Sequence, residues 1–293
     1  MEKKSKKSKK ILYGVGIVIL IFISIVVTVT YVLKNIDIYK YKKTVSQENF
    51  IAHALGGIEG NQYTNSKEAL ENSYSKGIKL FEVDIRFTSE KKLVCVHGWS
   101  KKDYTEKLGL EYDEDNMVMS YDVFMNSKIK GKYTTIDFKE LVSFMKQHND
   151  MYVMIDIGNQ DYENTKEIYT EIVNECNHDS KILNMFIVGG HTTNMIKAIQ
   201  DTYDFKIYNL YWANSNSKKD EEIDTKEEFL QYCKDNKILS LSTSVDTYSK
   251  EEETIKYFKE NGLIVYVFTE NNVEEAIRIL ENVDVVGTDY IYY

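Results

Sequence analysis

Four polar side chains in otherwise apolar segments are where chemistry could lie. Glu82 and Asp84 stand two residues apart in FEVDIR, and strand alternation sends both to the same side. Two carboxylates on one inward face repel unless a cation or a shared proton relieves them. Oxygen ligands of this type suit Ca2+ or Mg2+ better than zinc. His53 in IAHALGG and His97 in LVCVHG are the imidazoles nearest to them in sequence. Beside a cation, one His can remove a proton and the other supply one during cleavage of a phosphodiester, with the metal neutralising phosphoryl charge. Asp156 ends the next apolar run, VMIDIGN. Each residue has a duller explanation: a hydrogen-bonded core His, or carboxylates paired with Lys79 or Arg86 on a strand edge. Taken together, four inward polar groups in one third of a barrel are hard to explain as structure alone.

The elements that must position these groups are legible in the apolar pattern. Short apolar runs at 50–55, 79–86, 151–157, 184–189, 205–211, 238–242, 263–268 and 284–287 alternate with segments of helical period, as parallel strands alternate with crossover helices. Phe138, Leu141, Val142 and Met145 form one amphipathic stripe, and Val273, Ala276, Ile277 and Leu280 another. Asp137 with Glu140, and Ser249 with Glu252, read as capping boxes, while Gly77 and Gly262 stand where helices should stop. Eight such units predict an α/β fold, a (β/α)8 TIM barrel, and there is no Gly-rich dinucleotide or Walker turn to favour an open sheet. No helix is expected after the eighth strand, and the stalk is a candidate for closing the barrel. Residues 98–135 lack periodicity and predict an insertion over one end of the barrel, placed to shape substrate access.

Around the mouth, Asn65, Trp99, His191 and Trp212 lie near predicted strand ends and are candidate substrate contacts, with loop capping or core packing as the alternatives. His148 and His178 fall at helix ends or turns, where a solvated role is the default. The charged run 218–228 reads as a solvated face. Cys95, Cys176 and Cys233 are an odd set without metal spacing and are expected as buried thiols.

The residues around these candidates resemble a known family. His53 with the following GG, T64-N65-S66, FEVDIRFTSEKKLVCVHGW (81–99), MIDIGN (154–159), VFTENN (267–272) and VDVVGTDY (283–290) are similar, in order, to the glycerophosphodiester phosphodiesterases, part of the phosphatidylinositol-phospholipase-C-like phosphodiesterase barrels. The stretch from Glu82 to His97 is the most specific part. The resemblance implies hydrolysis of glycerol phosphodiesters aided by a divalent cation, Ca2+ or Mg2+, with His53 and His97 as the acid–base pair and Glu82 and Asp84 as metal ligands. The family's third carboxylate would map to Asp156. The sequence departs from the pattern at Ala54, where the family has Arg after its first His, at T64-N65-S66, where it has E-N-T, at Gly98, where it has Asp after the second His, at Asp156, where it usually has Glu, and at Gly158, where it has Lys. These changes leave either a phosphodiesterase with an altered substrate or a non-catalytic barrel that binds phosphorylated glycerol or an envelope partner.

Charge is distributed unevenly along the chain. Of the net −9, residues 1–43 contribute +8, from ten Lys against Glu2 and Asp37, which leaves −17 on residues 44–293. A body so acidic, with only Arg86 and Arg278 as arginines, is a poor nucleic-acid partner. Residues 11–33 carry no charge over 23 positions, long enough for a helix to cross a bilayer core of about 30 Å. Six Lys precede that stretch, so the positive-inside bias predicts a cytoplasmic tail (1–10), a single-pass transmembrane signal anchor (11–33), a stalk (34–48) and an extracellular barrel (49–293). A cleaved signal peptide would have a shorter apolar region and a small-residue cleavage site. The expected partners are thus the cell membrane, through the N-terminal helix, and a glycerophosphodiester or lipid-headgroup substrate. With no Pro in the chain, the stalk is expected to lack a stiff element.

Overall fold

The computed structural model describes residues 2–213, 223 and 225–291, with side chains described from residue 17 onward except at 31, 33 and 34. Most of the charged run at 218–228 therefore lies outside the described residues, as do the tail lysines' side chains. The chain divides into two compact units, Met1–Lys42 and Lys43–Tyr293.

The first unit belongs to α1, Glu2–Val45. Among the described residues no single helix is long and apolar enough to cross a membrane; Ile17–Thr30 and Asn35–Val45, bent by 50° between them, meet that test as a pair. The apolar side chains described between Ile17 and Val29 are exposed. The expected flexible stalk is instead helical as far as Val45. No Gly or Pro interrupts residues 17–45, so nothing in the polar stretch ends the helix.

The second unit is a closed barrel of eight parallel strands: β1 Phe50–Ala52, β2 Leu80–Phe87, β3 Tyr152–Asp156, β4 Phe186–Gly190, β5 Ile207–Tyr211, β6 Ser240–Ser244, β7 Ile264–Phe268 and β8 Val285–Thr288. Closure comes from β1, which pairs with β8 on one side and with β2 on the other. Each strand coincides with one of the eight apolar runs, because burial on both faces writes a parallel strand as a nearly continuous hydrophobic segment. The crossovers carry α2 Lys67–Ser75, α3 Phe138–Gln147, α4 Tyr162–Glu175, α5 Thr193–Gln200, α6 Lys226–Asp235, α7 Val245–Glu260 and α8 Val273–Leu280. No helix follows β8 among the described residues, as expected.

On α3 the predicted stripe of Phe138, Leu141, Val142 and Met145 is buried, and Asp137 with Glu140 forms the predicted capping box. On α8 the buried pair is Ala276 and Ile279, while Val273 and Ile277 are exposed, so the stripe is rotated from the one expected. The cap expected at Ser249 also lies elsewhere. Ser244, at the end of β6, accepts from Thr247 N and starts α7 one turn earlier, and Ser249 Oγ bonds back to Val245 O inside the helix. Residues 98–135 form an insertion with its own small core. A strand at Leu93–Cys95 pairs antiparallel with β2, and a π-helical turn (Asp103–Leu108), a short helix (Tyr121–Asn126) and a two-stranded hairpin (128–134) follow. Val94, Val96, Tyr104, Leu108, Phe124 and Tyr133 fill that core. The three Cys are buried and free.

Candidate active site

At the C-terminal ends of the strands a cleft of about 380 Å³ opens, lined by His53, Glu82, Asp84, His97, Asp156 and His191 among others. Register alone brings the acids together: β2 and β3 pair in parallel with Asp84 opposite Asp156, and Glu82 lies two residues before Asp84 on the same face. Glu82 and Asp84 are buried, while Asp156 keeps 37% of its side chain open to the cleft. One oxygen from each of the three falls within 4.8 Å of the others. Two ligands held about 2.3–2.6 Å from one cation are at most about 5 Å apart, so the spacing of this donor set admits one hard divalent cation. The electrostatics agree: burial, then repulsion from Asp84, pushes the Glu82 carboxyl well above its ordinary range. A divalent cation would relieve that penalty.

The remaining bonds of Glu82 and Asp84 are made by backbone and neutral groups. The turn after β1 runs left-handed through Ala54 (φ 49°) and Leu55 (φ 65°), and turns the Ala54 N–H onto Glu82 Oε2 at 2.7 Å. Such backbone in non-Gly residues costs on the order of 1 kcal/mol each. Asn65 donates Nδ2 to Asp84 Oδ2 at 2.9 Å and accepts from Asp84 N at 3.1 Å. Asp156 accepts from Gly158 N and lies 3.7 Å from His191 Nε2. Although burial works to raise the Asp156 pKa, His191, Arg86 and the Gly158 amide hold it well below the usual carboxylate range.

Each candidate catalytic His has its Nδ1 on a carboxylate, which leaves its Nε2 for the cleft. His53 Nδ1 lies 3.0 Å from Asp289 Oδ1, and Asp289 is fixed in turn by Asn271 Nδ2 at 2.7 Å. Burial opposes the charged imidazole, but the Asp289 bond and the charges of Glu82, Asp289 and Asp84 lift the His53 pKa to about 9. His97 Nδ1 lies 2.8 Å from Asp103 Oδ1. Asp103 is anchored by Ser100 N at 3.0 Å and by Lys107 Nζ at 3.2 Å. Between the two imidazoles stands Tyr63, edge-on to His53 at 4.5 Å and to His97 at 5.5 Å between ring centroids.

Two of the five departures from the family pattern, Gly98 and Gly158, are filled from elsewhere. A Cβ on Gly98 would come 2.7 Å from Asp103 Oδ2, so the Asp103 carboxylate occupies the space of a side chain at 98. A Cβ on Gly158 would come 3.1 Å from Arg86 Nη2, so a guanidinium stands where a Lys at 158 would begin. Arg86 Nη1 donates to the carbonyls of Ile85 and Asp156.

His53, His97, Glu82, Asp84, Asp156 and His191 are thus brought together; three other candidates face elsewhere. Asn65 is buried against Asp84. Trp99 donates to Phe87 O and packs on Tyr104 and Phe124 in the insertion core. Trp212 donates to Glu251 and packs between Phe229 and Phe258. Tyr63, Asp103 and Asp289 escape a sequence reading, since nothing local ties them to a His six or 236 residues away. The VGTDY segment was the available signal for Asp289.

The model of the glycerophosphoryl diester phosphodiesterase family matches residues 57–292, a range that begins just after His53. No curated protein matches the sequence. Among solved structures, a putative glycerophosphoryl diester phosphodiesterase from Silicibacter pomeroyi superposes with a TM-score of 0.66 at 14% identity, over 83% of this chain and 90% of that one. A glycerophosphodiester phosphodiesterase from Thermotoga maritima gives 0.60 at 19% identity over 83% and 94%. An Oleispira antarctica phosphodiesterase, solved with the product sn-glycerol-3-phosphate, gives 0.62 at 14% identity over 83% and 93%. At these identities the structures establish the shared fold.

Proposed function

Given that the chain belongs to the glycerophosphoryl diester phosphodiesterase family, and so to the phosphodiester hydrolases, we propose that the cleft hydrolyses glycerophosphodiester-type bonds with a cation held by Glu82, Asp84 and Asp156. The observation that carries this reading is the convergence of that oxygen cluster with two carboxylate-oriented imidazoles in one cleft. The cation, when bound, supplies Lewis-acid charge to a phosphoryl oxygen.

In this mechanism His53 and His97 move the protons. One ring removes the proton of an attacking hydroxyl, from water or from the substrate's own glycerol, and the other protonates the leaving alkoxide. Asp289 and Asp103 fix the two rings through Nδ1, so that each Nε2 exchanges the proton. Tyr63 keeps the rings apart, and Arg86 adds fixed positive charge near Asp156 in place of the missing Lys. Asn65 holds Asp84 in ligand geometry.

Substrates consistent with this chemistry are free glycerophosphodiesters, lysophospholipid headgroups and polyglycerol-phosphate; the Oleispira relative's glycerol phosphate product favours a glycerol moiety on one side of the phosphate. The N-terminal segment would tether the enzyme to the cell membrane with the barrel outside, a role supported by its 23 uncharged positions and flanking lysines. A non-catalytic binding role drew on Ala54 and Gly98, and the Asp103 carboxylate in the space of a side chain at 98 answers the second of these.

The test is hydrolysis of a panel of glycerophosphodiesters and lysolipids with added Ca2+ or Mg2+. Activity is expected in the wild type, with a loss of at least about 100-fold in His53→Ala and in His97→Ala. A rate that survives both substitutions would sink the His/His assignment.

A further inference from the structure

We propose that the β5–β6 wall of the cleft is a subsite for an uncharged, hydroxyl-bearing alcohol portion of the diester, held by Asn209 and Ser242. This rests on the cleft being the diesterase site and names which diesters it takes.

Asn209, on β5, is 97% buried and lines the cleft. Its Nδ2 donates to Ser242 Oγ at 2.8 Å, but its Oδ1 is buried and has no hydrogen-bond partner among the described residues. An unanswered buried carbonyl oxygen is costly, so a donor on whatever fills the cleft is the natural partner. The neighbouring strand carries Gly189 in register with Asn209, so that position sets no side chain against the amide. Ser242 accepts from Asn209, which leaves its own hydroxyl proton to donate. The pair therefore presents one acceptor and one donor side by side, the complement of a hydroxyl group that donates to Asn209 Oδ1 and accepts from Ser242 Oγ.

The rest of this wall selects among alcohols. Gly190, Tyr211 and Ser244 are uncharged, and the three carboxylates stand on β2 and β3, committed to the cation site. A quaternary ammonium headgroup has no N–H and leaves Asn209 Oδ1 unanswered. A primary ammonium has donors but would be desolvated on a wall without a carboxylate among its described residues. A glycerol or other polyol satisfies both partners at no charge cost.

The experiment compares kcat/KM of the full chain for glycerophosphoglycerol and glycerophosphocholine, with the divalent cation present, in the wild type, Asn209→Leu and Ser242→Ala. The wild type is expected to favour glycerophosphoglycerol at least tenfold. Asn209→Leu should cut that ratio at least fivefold, and Ser242→Ala should lower it in the same sense, with thermal melts confirming that each variant folds. A wild-type ratio near one, or a ratio that neither folded variant changes, overturns the subsite: a resident water then answers Asn209. A wild type that hydrolyses neither diester fails the diesterase reading itself, and the subsite with it.

Discussion

Asp103 stands six residues from the imidazole it orients, in space that a side chain at Gly98 would need. If its role is to hold His97, Asp103→Asn should lower kcat on the order of tenfold or more and leave KM within about threefold. Gly98→Asp alone should be worse than wild type, because its Cβ meets the Asp103 carboxylate at 2.7 Å. Combining Gly98→Asp with Asp103→Gly should restore part of kcat by moving the carboxylate rather than removing it. Steady-state kinetics on the three variants decide the matter: no recovery in the double variant would show that Asp103 acts by packing alone. Asp103 also has a stability signature. Burial alone would raise its pKa, but Ser100, His97 and Lys107 bring it down to about 2. A depressed carboxylate stabilises the fold above its unfolded pKa of about 4 and loses that contribution as pH falls through 2. The destabilisation of Asp103→Asn should therefore be present at pH 7 and fade towards pH 2 in denaturant titrations.

At the scale of elements, α4 carries a group set against the fold. Burial pushes the Glu175 carboxyl up to about 7, and its Oε2 is buried with no hydrogen-bond partner among the described residues. A carboxylate raised in the folded state costs nothing below its unfolded pKa, and its penalty grows between about 4.5 and 7. Glu175→Gln should therefore stabilise the protein at pH 8 by about 1 kcal/mol, a figure reduced because the side chain is only partly buried, and should be near neutral at pH 4. Equal effects at the two pH values in urea unfolding would contradict this. The same elements show what sequence can and cannot carry. All eight barrel strands were legible because parallel strands are apolar on both faces, and Glu82, Asp84 and Asp156 stood out as charges inside them. The α8 stripe and the α7 cap were misread, since Val273 and Ile277 offer the same period as Ala276 and Ile279, and Ser249 looks as good a cap as Ser244. Only the packing of the barrel chooses between them. The insertion was legible as an interruption, but its own core joins side chains from Val94 to Tyr133 that share no period.

At the scale of the whole molecule, a basic apolar segment precedes an acidic barrel, and the two divide at Lys42–Lys43. If residues 11–33 anchor the chain, the full protein should sediment with membranes and resist carbonate extraction, while residues 45–293 should stay in the supernatant and keep kcat within about twofold. A full chain released by carbonate would refute the anchor and leave the barrel's chemistry untouched. That chemistry turns on the three convergent carboxylates and the two imidazoles beside them. The most direct measurement is the rate of glycerophosphodiester hydrolysis by the chelator-stripped protein, before and after Ca2+ or Mg2+ is restored, in the wild type and in Asp84→Asn. The wild type should be inactive when stripped and recover with about one equivalent of cation, and Asp84→Asn should stay at least about 100-fold lower at the same cation concentration. A stripped wild type that hydrolyses the diester at full rate, or an Asp84→Asn variant that recovers like the wild type, would contradict the cation site at the centre of this account.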